Sequence, residues 1–323
     1  MLRRRTVAIA LGSALLATLV GIAWAVAVRS QRAQWLRIAT WNMEWLVAPR
    51  TAQAARLACR EQRRSALPCD VARRLVRDSA DLARLAAQVR RLDADVIAFQ
   101  EVENAAIAAR VFRGYRICMA SGAGVQHVGF AIRGSLPHRC GPQVEQLAGN
   151  ARGRAALVLT IEPAGLPAIE LLAVHLKSGC ATDPLEGDKP ACQLLHQQAQ
   201  ALGEWISQRA ARQAPFIVVG DFNRAGSPRG DDVFWGLLHP PAFHAAASAL
   251  AFSNCMFGQP YTAFIDHILV GQSLASRLAP QPFSRFRFAA SDAARHRLSD
   301  HCPVSVSLQK YVQLLAADSQ PNR

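Results

Sequence analysis

Polar residues recur at the ends of apolar, strand-like runs along this 323-residue chain. Asn42 closes the run that begins Leu36-Arg37-Ile38-Ala39, Glu101 closes "VIAFQE", and His175 with Lys177 closes "LLAVHLK". Asp221 and Asn223 end "IVVGDFN", Asp266 and His267 interrupt "FIDHILV", and Asp300-His301 precede "CPVSVSL". Carboxylate and amide oxygens are hard donors that suit a cation such as Mg²⁺, and histidines beside them can move protons. A lone Asp or Asn after a strand is usually a turn residue. Six such positions together describe a site in which a rigid sheet holds catalytic groups at strand ends.

These positions need elements to hold them. Alternation of apolar and polar residues reads as a strand from Leu36 into "TWNMEWL". "DVIAFQEVE" (Asp95 to Glu103) reads as a buried strand, and further strands are expected at about Tyr115–Ala120, Val128–Arg133, Ala155–Ile161, Ala168–Leu176 and from Pro215 onward. Val71, Leu75, Leu82, Leu85, Val89 and Leu92 share one helical face, which predicts a helix over Asp70–Leu92 with Asp70 as N-cap. A second helix is expected over Ala191–Ala211, and the Gly-, Pro- and Ala-rich stretch from Phe222 to Tyr261 reads as a long loop with brief helices. "TAFIDHILV" and "CPVSVSL" close the chain as strands. Strands and helices that mix without strict alternation imply an α/β layered domain with at least one antiparallel sheet, not a Rossmann or barrel order.

The chain is 51% hydrophobic, which excludes a disordered protein and allows one large domain. Its formal net charge is +14. Six arginines before residue 38 account for part of that, and the remainder stays basic, which favours a phosphate-bearing partner. Only Lys177, Lys189 and Lys310 are lysines, an arginine bias that codon composition can also produce. Three arginines at the N-terminus precede an uncharged run from Thr6 to Val28. As a helix rising about 1.5 Å per residue it would cross a bilayer core of about 30 Å. Small-residue pairs at Ala23/Ala25 and Ala25/Ala27 could also serve a signal peptidase. Residues 1–35 are therefore read as a signal peptide or signal anchor, 36–310 as one domain and 311–323 as a C-terminal tail. Either fate exports the domain and its tail, to the periplasm, the medium or the outer side of the inner membrane.

Eight cysteines, all after the apolar run and none in a C-x-x-C pair, agree with export and with disulfides. Zinc would want closer ligand spacing. Eight cysteines allow 105 connectivities, of which the simplest joins sequence neighbours: Cys59–Cys69, Cys118–Cys140, Cys180–Cys192 and Cys255–Cys302.

The stretches "TWNMEW", "FQEVE", "HLKS", "GDFN", "IDHILV" and "SDHCP", spread in this order from about Leu36 to Leu308, resemble the endonuclease/exonuclease/phosphatase superfamily. That superfamily includes pancreatic deoxyribonuclease, repair nucleases, inositol polyphosphate 5-phosphatases and bacterial sphingomyelinases. The resemblance implies a deoxyribonuclease I-like four-layer sandwich: two mixed β-sheets face to face, flanked by helices. It also implies a divalent-metal phosphoesterase site at the sheet edges, with Mg²⁺ as cofactor and Mn²⁺ or Ca²⁺ as alternatives. By similarity, Glu101 is the main metal ligand, with Asn42 and Asp300 helping directly or through water. Asp221 orients or deprotonates the attacking water, Asn223 and His175 bind the scissile phosphate, and Asp266 pairs with His301 to favour its imidazolium. Whether Asp221 or the His301/Asp266 pair is the base stays open at this level. Arg154 matches a phosphate-contacting arginine of deoxyribonuclease-like members, and Lys177 either aids the phosphate or snorkels to solvent. His267 is read as structural because strand alternation aims it at the opposite face, and Glu44 has no evident task.

The resulting expectation is an exported phosphodiesterase, foremost a nuclease cutting DNA or RNA with little sequence preference. The alternatives are a lipid or small-molecule phosphoesterase of the sphingomyelinase or inositol phosphate type, and an inactive binding protein on the same fold. Nucleic acid is the expected partner, with the membrane a second one if the N-terminus stays uncleaved. No protein partner is implied, and a monomer suffices.

Overall fold

The structure, a computed structural model, describes residues 34–148, 154–226, 232–245 and 264–310. Among the described residues twelve strands run in chain order: β1 (Trp35–Leu46), β2 (Val96–Val102), β3 (Tyr115–Met119), β4 (His127–Arg133), β5 (His138–Val144), β6 (Ala156–Ile161), β7 (Ile169–His175), β8 (Phe216–Asp221), β9 (Phe243–Ala245), β10 (Asp266–Gly271), β11 (Leu278–Arg285) and β12 (Val304–Gln309). They form two six-stranded mixed sheets, ordered β11-β12-β1-β2-β4-β3 and β5-β6-β7-β8-β10-β9. Each sheet has one parallel pair near its middle, β1/β2 and β7/β8, with antiparallel partners outside.

Side-chain alternation builds the layers. Leu36 and Ile38 of β1, Val96 and Ala98 of β2 and Phe130 of β4 pack against Leu159, Leu171, Ile217 and Ile268 of the other sheet. The alternate residues face outward onto helices. Trp41, Ile97 and Phe99 meet Leu82, Leu85 and Val89, while Leu172, Val174 and Val218 meet Leu195, Leu202 and Ile206. The four-layer sandwich expected from the sequence is present, with flanking helices α1 (Pro49–Arg60), α2 (Cys69–Arg74), α3 (Ser79–Leu92), α4 (Ala105–Val111), α5 (Pro190–Ala211), α6 (Val233–Leu237) and α7 (Ala290–Arg295).

The helix expected over Asp70–Leu92 is two helices. Asp78 starts the second one with a capping box, accepting from the Asp81 amide while the Asp81 side chain accepts from the Asp78 amide. Asp70 lies in the first turn of α2, whose N-cap is Pro68. The break leaves Arg77 outside both helices and 5% exposed, free to turn inward. Three expected disulfides are formed, Cys59–Cys69, Cys118–Cys140 and Cys180–Cys192. Cys302 is also disulfide-bonded, and Cys255 lies outside the described residues. Among the described residues no helix is long and apolar enough to cross a membrane. The apolar N-terminal run, the C-terminal tail and most of the Phe222–Tyr261 loop lie outside them.

Candidate active site

Strand register places the chemistry. His175 on β7 is directly beside Asp221 on β8, and Asp221 is directly beside Asp266 on β10. Close strand approach here requires Gly220: a Cβ at that position would sit 2.1 Å from Val174 O. In the other sheet the parallel β1/β2 register breaks just after Asn42–Gln100. Glu44, Trp45 and Glu101 take positive φ angles of 45°, 53° and 60° around that irregularity. Bulged, left-handed residues re-aim side chains at strand ends, and here they turn Glu101 toward the second sheet.

The two sheets meet through side chains. Asn42 Nδ2 donates to Glu101 Oε1 at 3.2 Å and to Asp221 Oδ2 at 3.0 Å. His175 Nε2 lies 3.6 Å from Glu101 Oε1 and 3.5 Å from Asp221 Oδ2. His301 Nδ1 is 2.7 Å from Asp266 Oδ2, and its Nε2 is 4.0 Å from Asp221 Oδ2 and 3.9 Å from Asp300 Oδ1. Leu176 O accepts from both Arg154 Nη2 at 2.9 Å and Asn223 Nδ2 at 3.0 Å, which brings two expected phosphate-binding residues to one carbonyl. Arg154 Nη1 also donates to Gln126 Oε1. Lys177 sits at the edge of this group, its Nζ on Ser178 O.

Burial sets the protonation pattern. Asp221 is 1% exposed, and burial pushes its carboxyl up to about 7 against the pull of His301, while Asp266 adds to the rise. His301 is also buried, which alone would favour the neutral ring, yet Asp266, Asp221 and Asp300 around it raise its pKa well above the usual histidine value. His175 moves the opposite way, lowered well below its usual value by burial and by the neighbouring Arg154 and His301. The site therefore holds a cationic histidine and a neutral histidine on either side of one hard-to-ionise carboxylate.

Asp221, Asp266 and His301 offer ligand atoms within 4.8 Å of one another, a grouping that could hold a cation. His301 Nδ1 is committed to Asp266, which leaves the carboxylate oxygens of the site as the better-suited cation donors. Glu101 Oε1 and Asp221 Oδ2 converge on one Asn42 amide, and Asp300 Oδ1 and Asp221 Oδ2 both lie within 4.0 Å of His301 Nε2. Carboxylates crowded this closely, one of them resisting ionisation, fit a divalent cation in donor chemistry and in charge. Asn42 turns its NH₂ to the carboxylates while its Oδ1 accepts from the Glu44 amide at 3.0 Å. In this arrangement it orients the carboxylates, and an inner-sphere role would require its amide to rotate.

All ten residues expected from the sequence thus fall at one end of the two sheets. His267 is buried, bonded through Nε2 to Arg224 O at 2.9 Å and packed against Trp235, in keeping with a structural role. What the sequence concealed is the frame beneath the site. Glu44 Oε1 accepts from Arg74 at 2.7 Å and Glu44 Oε2 from the Asp300 amide at 3.0 Å. Buried Arg77 donates to the carbonyls of Glu44, Trp45, Arg297 and Leu298, tying the β1 bulge to the segment that carries Asp300 and His301. Ser299 Oγ bridges the same parts, donating to Asn42 O at 2.6 Å and accepting from the His301 amide. Ser299 is the first residue of the "SDH" stretch, so a signal existed for it. Arg77 is one arginine among many.

Two facing mixed sheets with flanking helices and this edge site define a deoxyribonuclease I-like fold. Residues 39–301 match the model of the Endonuclease/Exonuclease/phosphatase family, and the chain belongs to that family. No curated protein sequence matches the chain significantly. Solved structures with the same fold include an AP endonuclease from Archaeoglobus fulgidus (14% identity, TM-score 0.56, covering 85% of this chain and 99% of that one). A 3'-5' exonuclease, NExo, from Neisseria meningitidis is similar at 18% identity and TM-score 0.53, covering 85% of this chain and 100% of that one. D. rerio TDP2 complexed with single strand DNA product is similar at 18% identity and TM-score 0.54, covering 84% and 98%.

Proposed function

We propose that the protein is an exported, Mg²⁺-dependent phosphodiesterase that cuts nucleic acid with little sequence preference. The observation that carries this reading is the row His175, Asp221, Asp266 on adjacent strands, capped by His301 on Asp266 and faced by Asn42 and Glu101 from the other sheet. Bound at Glu101 and Asp300, Mg²⁺ would polarise the phosphoryl oxygens and offset their charge. Asp221, with its carboxyl near 7, suits the acceptance of a proton from the attacking water at Oδ2. His301 keeps both ring protons through Asp266 and presents Nε2 as a buried cation to charge developing on phosphorus-bound oxygen. Neutral His175, with Asn223 and Arg154 anchored on Leu176 O, lines the phosphate side.

Nucleic acid is favoured by the positive charge that remains beyond the N-terminal arginines and by the nucleases and the single-strand DNA complex among proteins of this fold. Three disulfides support an oxidising compartment, with the apolar N-terminal run as export signal or anchor. The test is hydrolysis of supercoiled plasmid, RNA and sphingomyelin by the purified, oxidised protein, with Mg²⁺ and with EDTA. Metal-dependent nicking, lost in folded Asp221→Ala and His301→Ala variants, is the expected result. Plasmid and RNA left intact, or full activity in both variants, would refute it.

A further inference from the structure

A cavity of about 510 Å³ opens beside the catalytic centre. Asp221, Asp266 and His301 do not line it; Trp45, Arg154 and Lys177 do. These three connect it to the phosphate side of the site. The Trp45 amide donates to Glu101 Oε2 at 3.0 Å, Arg154 shares Leu176 O with Asn223, and Lys177 follows His175 by two residues. The other walls are Ala66 from the segment between α1 and α2, the loop of residues 120–126 between β3 and β4, Glu145 and Ala148 just after β5, and Leu194 and Gln198 of α5.

Three of those walls are fastened, each by its own cross-link. Cys59–Cys69 closes the segment that contains Ala66. Cys118–Cys140 anchors the strand end that leads into the loop at Ala120. Cys180–Cys192 joins the chain just after Ser178 to the start of α5, two residues before Leu194. Walls tied independently keep the cavity in shape before a ligand arrives, which removes much of the ordering cost of binding.

The lining chemistry selects the occupant. Two cations stand on the catalytic side, one indole contributes an aromatic surface, the opposing loop is built of small residues with glycines at 122 and 124, and Glu145 is the single acid among the lining residues. Acyl chains would find no apolar trough there. A nucleotide would find a cation for its phosphate and an aromatic ring for its base. A base paired in duplex could not enter without leaving its stack. Resting on the phosphodiesterase reading of the same site, we infer that this cavity is a subsite for one unpaired nucleotide next to the scissile phosphate, so that unpaired strands are the preferred substrate.

Two plugs test this from opposite walls, Gly122→Phe and Ala66→Trp. A Cβ added at Gly122 meets only His127 Cε1, at an ordinary 3.8 Å, so the new ring can fill the cavity without straining the backbone. Neither position belongs to the catalytic or phosphate-binding groups. Rates are compared on a short single-stranded oligonucleotide, its blunt duplex, sphingomyelin vesicles, and bis(p-nitrophenyl) phosphate, which is too small to need the subsite. The wild type should favour the single strand over the duplex. Both plugs should lower kcat/KM on the single strand about tenfold or more and leave the small diester unchanged. Oligonucleotide cleavage within about twofold of wild type in both variants, or equal losses on oligonucleotide and small diester, would overturn the subsite. Sphingomyelin cleavage lost in both variants while the oligonucleotide is still cut would give the cavity to a lipid headgroup instead. A wild type that hydrolyses no diester at all would overturn the phosphodiesterase reading itself and the subsite with it.

Discussion

Arg77 and Arg74 both reach Glu44, and replacing each by methionine separates framework from decoration. Arg74 contacts Glu44 Oε1 at 2.7 Å with its side chain 60% exposed, an ion pair worth less than about 1 kcal/mol. Arg77 is 3% exposed at the side chain and holds four backbone carbonyls, two in the β1 bulge and two just before Ser299. Hydrogen bonds from a charged donor contribute about 1.5–3 kcal/mol each, less the cost of burying the guanidinium, and broken buried networks of this kind typically cost about 3–5 kcal/mol. Arg77→Met should therefore destabilise by about 3–5 kcal/mol. Arg74→Met should cost less than about 1 kcal/mol. Urea unfolding with disulfides intact reads both values. Because the carbonyls straddle the Asp300 segment, Arg77→Met should also raise the Mg²⁺ concentration needed for half-maximal hydrolysis about tenfold or more, a change of at least about 1.4 kcal/mol in metal binding. Equal effects of the two substitutions, or a stable Arg77→Met with normal metal dependence, would refute the bracing role.

Asp266→Asn should lower hydrolysis about 10²–10⁴-fold, because His301 loses the carboxylate that keeps it charged and oriented. The pair's stability contribution is complete below the ordinary histidine pKa and fades as pH rises through the raised value, so the stability gap between wild type and Asp266→Asn should narrow at alkaline pH. Asp221 fades in the same direction, the reverse of a carboxylate whose pKa folding lowers. Its folded pKa of about 7 exceeds the ordinary 3.8, so the metal-free protein should lose stability as pH rises from about 4 through about 7. Asp221→Asn should flatten that decline while abolishing hydrolysis, and a decline of unchanged slope would count against the assignment. Gly220→Ala places a Cβ 2.1 Å from Val174 O and must part β7 from β8 immediately before His175 and Asp221. A loss of both thermal stability and activity is expected, and wild-type values for both would contradict the close approach.

The central strands and their polar ends are legible in the sequence because buried strands in paired sheets read as apolar runs, and a polar group at the end of one must be paired or used. Edge strands are not. β5 ("HRCGPQV") and β11 ("LAPQPFSR") lie at sheet edges, where proline is tolerated, and both carry it; neither shows the alternation that would announce a strand. α1 escapes for a different reason, since its buried face is Ala52, Ala55 and Ala58, too small to stand out as an apolar stripe. The break at Arg77 is invisible because Leu75 and Leu82 sit in register for one continuous helix face, while the force that ends the helix is four distant carbonyls and a capping box.

The site is divided between the sheets in a way that ties activity to their docking. Sheet β5-β6-β7-β8-β10-β9 supplies His175, Asp221 and Asp266, and the other supplies Asn42 and Glu101, with Asp300 and His301 on the approach to β12. Among the expected catalytic side chains, Asn42 bonds across the gap to Asp221 and His301 to Asp266. Neither sheet alone contains both Asp266 and the histidine paired with it, or both Asp221 and the Asn42 amide that bonds to it. The interleaved side chains between the sheets, Ile38, Ala98 and Phe130 against Leu171, Ile217 and Ile268, therefore set the spacing of catalytic atoms as well as the stability of the fold. Close-packed interiors transmit volume changes. A substitution such as Ile217→Ala, in the core between the sheets, would thus shift the 2.7 Å pair that keeps His301 charged and lower turnover, while the Mg²⁺ concentration for half-maximal hydrolysis should stay unchanged.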